Sequence, residues 1–189
     1  MLQYQLAGVV RGVSLNQPVG EVQPIELGEE DTAYGMYVDN IITLGARHSN
    51  VAAGLRGAIG HCNKVGLHIG EMNAPRRRLP ELGMEFDGAR NTISYPAERC
   101  VLLQKATYYV AEFRNVQWKT VQRLAGHFAW AFVLRREFFA IFGAIYHFID
   151  AYKHCEAGQW VQLWPTVRAE LRTAADVLPL CSYDLGLDG

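Results

Sequence analysis

A chain of 189 residues, half of them apolar and a fifth charged, can bury a core of its own and does not have the composition of a disordered protein. No apolar run approaches the roughly 20 residues needed to span a bilayer. The start, MLQYQLAGVVRG, lacks the basic head, long apolar stretch and small-residue cleavage site of a secretory signal. The expectation is an intracellular chain, cytoplasmic or nuclear, neither secreted nor partnered with a membrane. The net charge of −1 conceals an asymmetry. Residues 1–46 carry one basic side chain against six acidic, residues 47–136 carry fourteen against six, and residues 137–189 carry three against seven. A basic middle between acidic ends suits either a solvated surface or a polyanion lying over one face.

In chain order, YQLAGVVRGV and EVQPIEL read as strands separated by the turn cluster SLNQPVG. The acidic GEEDT then leads into YGMYVDNIITLG, whose halves form a hairpin around Asp39-Asn40. Asn and Asp tolerate the positive φ that tight hairpin turns require. Val51, Leu55, Ala58, Ile59, Cys62 and Val65 recur at helical spacing. Ser49 or Asn50 can cap that helix, and Gly66 suits its end. GLHIG and the basic APRRRLP form a loop, and ELGMEFDGARNTISYP reads as a second hairpin turning near Asp87-Gly88.

From Pro96 onward the pattern is helical. Pro96 fits a first helical position, and Leu102, Ala106, Tyr109, Val110 and Phe113 make one face. Val121, Leu124, Ala125, Phe128 and Phe132 make a second; Phe138, Ile141, Phe142, Ile145, Ile149 and Tyr152 make a third. A last helix holds Val167, Leu171 and Ala174, with Pro165 either beginning or kinking it. Gly126 within a helix costs about 1 kcal/mol relative to Ala. The fold class is therefore α+β: two hairpins packed around one helix, followed by a helical half.

Cys62, Cys100, Cys155 and Cys181 lie far apart without a C-x-x-C pair, which reads as reduced, mostly buried thiols rather than a zinc site. The six histidines are equally scattered; His147 and His154 share a helical face at best. Trp118, Trp130, Trp160 and Trp164 and the Phe138–Phe148 stripe read first as core.

With this order in hand, YVDN between apolar strands resembles the Y-x-D-D signature of reverse transcriptases. The segments after it fall in the order of that family. VGLHI resembles its G-L-x-[apolar] segment, LGMEFDG its L-G-x-x-[apolar] primer-grip strand, and TISYPAERCVLLQKA the passage into the thumb. TVQRLAGHFAWAFVLRREFFAIFGAIYHFI is similar to the pattern that follows the thumb in retrotransposon polymerases, most closely those of tyrosine-recombinase-type elements. LPLCSYDL resembles the segment before their ribonuclease H domain. On this resemblance, residues 1–32 are an unassigned palm remnant, 33–95 the second half of the palm, and 96–189 a thumb and connection. The missing partners are the fingers, the first palm portion and ribonuclease H. An open apolar sheet edge and poor solubility are then expected.

The resemblance implies RNA-directed DNA synthesis on an RNA/DNA primer-template. Mg²⁺ would be held by Asp39, with Asn40 beside it and Tyr37 near the primer end. Such chemistry uses two metal ions and carboxylates converging from different strands. Here Asn40 stands in place of the second Asp, and the nearest acid upstream, Asp31, is eight residues away in an acidic run. Where relatives have a lysine after the G-L segment, this chain has Glu71 and then Arg76–Arg78. The isolated chain is therefore expected not to polymerise. Leu82, Gly83 and Met84 are the grip residues, Gly83 letting a strand approach the backbone. Arg76, Arg77, Arg78, Lys105, Lys119 and Arg123 are the phosphate contacts. The alternatives are a domesticated nucleic-acid-binding module without catalysis and a helical protein-interaction domain.

Overall fold

The structure, a computed structural model, describes residues 32–37, 40–66 and 73–184. The fold is α+β. The chain divides into two compact units, one of Met1–Glu81, Phe86–Thr92 and Asp184–Gly189, the other of Leu82–Glu85 and Ile93–Tyr183. The division falls at Ile93 rather than Pro96, and the Leu82–Glu85 segment belongs with the helices. The strands expected in residues 1–31, the GLHIG segment beyond Gly66 and Glu71 lie outside the described residues.

In the first unit, β1 (Thr32–Tyr37) and β2 (Asn40–Gly45) form the expected antiparallel hairpin. Thr32 stands opposite Gly45, Gly35 opposite Ile42 and Tyr37 opposite Asn40. Asn40 is thus already a strand residue, and the connection is residues 38 and 39, one position earlier than the Asp39-Asn40 turn read from sequence. That connection, Asp39 included, lies outside the described residues. Helix α1 (His48–Lys64) packs on both strands and buries Val51 and Cys62. Its N-cap is Arg47, whose side chain caps nothing, and Ser49 Oγ donates instead to Asn50 Oδ1 at 3.2 Å. Neither Ser49 nor Asn50 is the cap, because the chain reaches helical geometry before them. The other end follows expectation: Gly66 takes φ +79° and donates its N–H to the Asn63 carbonyl, a conformation that a Cβ would penalise.

Part of the expected basic loop is a strand. β3 (Arg78–Glu81), β4 (Met84–Asp87), β5 (Thr92–Ser94) and β8 (Ser182–Asp184) form a sheet in the order β3-β4-β5-β8. The single hairpin read from sequence is therefore a meander with two turns. Its first turn is Leu82-Gly83, both at positive φ (+50° and +76°), as two-residue hairpin loops of the primed kind require. The second opens at Asp87, as the Asp-Gly pair suggested. Asp87 Oδ1 accepts the N–H groups of Ala89 (2.9 Å) and Arg90 (3.1 Å), and Oδ2 accepts Arg78 Nε at 3.0 Å. Burial alone would raise the Asp87 carboxyl, but the Arg90 and Ala89 N–H groups and the Arg78 guanidinium outweigh it and hold it below its ordinary value. A depressed carboxylate contributes stability that is present above the unfolded-state pKa and is lost as pH falls through the folded one. Thermal melts from neutral pH down to about pH 3 should show Asp87→Asn losing less stability on acidification than the parent. Asn keeps an acceptor for the two N–H groups but not the titrating charge. Equal acid sensitivity would refute the assignment.

The second unit holds α2 (Ala97–Glu112), β6 (Asn115–Gln117), α3 (Trp118–Phe132), a 3₁₀ helix (Arg136–Phe142), α4 (Gly143–Tyr152), β7 (Trp160–Gln162) and α5 (Pro165–Val177), with a short 3₁₀ turn at Leu178–Leu180. All five predicted α3 core residues, Val121, Leu124, Ala125, Phe128 and Phe132, are buried. The Phe138–Phe148 stripe is core: Phe142, Ile145 and Phe148 are fully buried, and Phe138, Ile141, Ile149 and Tyr152 pack against them. It forms two pieces rather than one helix, joined at Gly143. From α5, Glu170 accepts the N–H groups of Ala144 and Ile145, both at 2.8 Å, satisfying two of the donors that a helix start leaves unpaired. Val167, Leu171 and Ala174 are buried as expected, and Pro165 begins α5. No described helix is long and apolar enough to cross a membrane.

Helix α2 is rotated from its expected setting. It buries Cys100, Leu103, Thr107 and Ala111, while Leu102 (69 % exposed) and Tyr109 (67 %) face solvent with Ala106 and Phe113; of the expected face, Val110, half-buried, packs against the core. The cause is close packing on α5. Small residues, Ala111 on α2 and Ala174 and Ala175 on α5, are fully buried and let the two backbones approach. Thr107 tolerates complete burial because its hydroxyl donates to the Leu103 carbonyl at 2.7 Å. Gln104 Nε2 ties the helices by donating to the Ala175 carbonyl at 2.8 Å. Pro96 is the N-cap, one position before its expected place.

Candidate nucleic-acid interface

Burying Val121, Leu124, Ala125, Phe128 and Phe132 turns the opposite side of α3 outward. That side carries Lys119, Gln122, Arg123, Gly126, His127 and Trp130, and α3 contains no acidic residue. Lys119 is held at the start of the stripe. Its ammonium donates to Gln122 Oε1 at 2.9 Å and lies 4.2 Å from the centroid of the Trp118 ring. Arg123 and His127 are exposed. Between them the helix is bare: among the described residues a Cβ added at Gly126 would meet nothing within 4 Å, so this glycine serves no packing among them.

The far end of the stripe meets the β3–β4 turn. Trp130, 39 % exposed, donates its indole N–H to the Leu82 carbonyl at 3.1 Å. A Cβ at Gly83 would stand 2.9 Å from Arg99 Nη1 and 3.1 Å from Trp130 Nε1. The space that Gly83 leaves is thus taken by side chains of α2 and α3, in addition to the positive φ that the turn demands. Met84 is buried, and Leu82 is half-buried beneath Trp130. Of the residues singled out from sequence, Leu82 and Gly83 therefore come together with the α3 face that holds Lys119 and Arg123. Lys105 lies on the outer side of α2 between Leu102 and Tyr109. Arg76, Arg77 and Arg78 are exposed in the other unit, where Arg78 pairs with Asp87 and the Arg77 carbonyl accepts the Gly88 N–H at 2.7 Å.

Gln122, His127 and Arg99 were not singled out from sequence. The first two were legible as the residues opposite the apolar stripe. Arg99 was not, because its role depends on where the β3–β4 turn docks.

At the other candidate site, Tyr37 ends β1 and Asn40 begins β2 as a cross-strand pair, and Asp39 is outside the described residues. Among the described residues no group of three or more His, Cys, Asp or Glu could hold a metal ion. The described residues do not supply the carboxylates of a two-metal centre. The four cysteines are free thiols, with Cys62, Cys100 and Cys181 buried. Burial first, and the neighbouring Cys100 second, push the Cys181 thiol up to about 12.

Comparison with protein-family models, with curated proteins and with solved structures yields no match.

Proposed function

We propose that the helical unit is a nucleic-acid-binding module of the thumb type, from a retrotransposon reverse transcriptase, that contacts a primer-template duplex without extending it. The observation that carries this reading is the outer face of α3, where the basic Lys119 and Arg123 adjoin a helix surface stripped to backbone at Gly126. A phosphate backbone or groove edge can approach such a surface more closely than one covered by side chains. Arg and Lys supply the neutralising charge, and Gln122 and Trp130 add a hydrogen-bonding amide and a flat ring. The ancestral activity is RNA-directed DNA polymerisation with Mg²⁺. Asn40 in place of an Asp argues against it in this chain, and no primer extension with Mg²⁺ or Mn²⁺ is expected. Extension abolished by Asp39→Ala would overturn that.

Fluorescence anisotropy with a labelled RNA–DNA duplex tests the binding reading. Affinity should fall steeply with salt, and Arg123→Glu should weaken binding while lowering the log–log salt slope by about 1 for the phosphate contact removed. Salt-independent binding, or an unchanged slope in Arg123→Glu and Lys119→Glu, would sink it. Gly126→Ala gives a second, opposed pair of readouts. It should stabilise the fold by about 1 kcal/mol, because a helix interior prefers Ala and the added methyl touches nothing. It should also weaken duplex binding; a stabilised variant with undiminished affinity would show that the bare patch serves no ligand. A second reading, a helical protein-interaction domain, is favoured by the exposed Leu102, Ala106, Tyr109 and Phe113 stripe of α2.

A further inference from the structure

The short β6–β7 ribbon plays no part in the α3 face, and its two sides differ sharply. Asn115 stands opposite Gln162, Val116 opposite Val161 and Gln117 opposite Trp160. Side chains alternate across a strand, and directly opposed residues share a face. One side is therefore Val116 with Val161, both buried in the core. The other side is Asn115, Gln117, Trp160 and Gln162.

Trp160 is 65 % exposed, the most open of the four tryptophans, although a core lies on the other side of the same ribbon. Among the described residues its indole N–H has no acceptor, and the three neighbouring amides make no side-chain hydrogen bond. A large ring left in water beside three unengaged amides has no evident part in holding the fold. The ribbon itself is firmly held. The Leu163 N–H donates to the Arg114 carbonyl at 2.8 Å, and Trp118, immediately after β6, is buried with its N–H on the Glu156 carbonyl at 3.0 Å. The platform is thus pre-formed.

We propose that this outer ribbon face is a stacking platform for an unpaired base of single-stranded nucleic acid. The assignment rests on reading this unit as a nucleic-acid binder, but it concerns a different surface and a different form of the ligand. A single exposed ring can stack only on a base whose face is free, and a duplex hides those faces in its own stack. Side-chain amides both donate and accept, so they can bond to the edge of any base without strong preference. Arg114, exposed and directly preceding β6, places a positive charge at one end of the strand for a flanking phosphate. A neutral sugar would also stack on an indole beside amides, but it would gain nothing from the Arg114 cation.

The test uses the full chain with labelled oligo-dT and oligo-U, read by anisotropy at low salt, beside the RNA–DNA duplex. Trp160→Thr suits a strand position and should weaken single-strand binding roughly 5- to 150-fold, the range for losing one stacked base. Trp160→Phe should retain most of the affinity, and neither variant should change duplex affinity or the melting temperature. If Trp160→Thr melts lower than the parent, Trp160→Ala and the Gln117→Ala/Gln162→Ala double variant, which keeps the ring, carry the same comparison. Unchanged single-strand affinity in the Thr and Ala variants overturns the proposal. So does failure of the parent chain to bind either oligonucleotide, or Trp160-dependent binding of a neutral oligosaccharide in their place. Duplex binding insensitive to Arg123→Glu, with single-strand binding still dependent on Trp160, would remove the α3 reading and leave this one standing.

Discussion

Phe128→Ala is expected to cost the helical unit about 3–5 kcal/mol, the range for truncating a fully buried phenylalanine. Phe128 has no exposed surface and sits at the centre of the α3 face, with its ring centroid 5.6 Å from that of Phe132 and 6.1 Å from that of Phe142. Phe132 in turn lies 5.2 Å from Phe142 and 5.4 Å from Phe138. Removing one ring from such a cluster forfeits its transfer free energy and its contacts with several neighbours at once. The surrounding rings are fixed from α3 itself and from the 3₁₀ helix and cannot all collapse into the gap. Since a single domain has only about 5–15 kcal/mol in total, the variant should show a much lower denaturation midpoint in urea, or no folded baseline. A loss below about 1 kcal/mol would mean that the ring cluster repacks and does not set the core. Comparison with Gly126→Ala is instructive because both positions lie on α3. One change should gut the fold, and the other should strengthen it while weakening the proposed duplex contact.

How far the sequence could be read depended on whether a segment offered one solution or two. Helix α3 offered one. Its apolar residues fall in a single stripe and its polar residues in the opposite one, so its buried and exposed faces are both legible. Helix α2 offered two stripes of similar spacing, Leu102-Ala106-Tyr109-Phe113 and Cys100-Leu103-Thr107-Ala111. Hydrophobicity favours the first. Packing took the second, because small residues allow the close approach to α5 and Thr107 satisfies its own hydroxyl. Periodicity carries no information about which neighbour a helix will meet. The Leu82-Gly83 turn was missed for a related reason: Leu at positive φ is uncommon, and here Trp130 holds the Leu82 carbonyl from a helix 48 residues away in sequence. The three-residue strands β6 and β7 are too short to leave an alternation pattern. The YVDN hairpin is legible, but Asn40 pairs with Tyr37 as a strand residue rather than a turn residue, since Asn is as acceptable at the end of a strand as within a turn.

The α2 result leads to an expectation that runs against the sequence pattern. Leu103→Ala should cost about 2–5 kcal/mol, whereas Leu102→Ala should change stability by no more than about 0.5 kcal/mol. The two leucines are adjacent and chemically identical, so helix propensity and unfolded-state effects cancel between them and the difference isolates burial. Leu103 is buried toward α5 and accepts the Thr107 hydroxyl through its carbonyl, while Leu102 is more than two-thirds exposed. Truncating Leu103 opens a cavity beside a junction of small residues that has little side-chain bulk with which to refill it. Truncating Leu102 only removes apolar surface from water, which should improve solubility, and Tyr109→Gln on the same stripe should add to that. Urea denaturation of both alanine variants, alongside static light scattering, decides the matter. Equal destabilisation by the two would mean that α2 is not set as described. A Leu102→Ala variant that is fully stable but loses capture of an amphipathic helical peptide would turn weight from the duplex-binding reading toward the interaction-domain one, because the exposed stripe would then have a use that depends on its hydrophobicity.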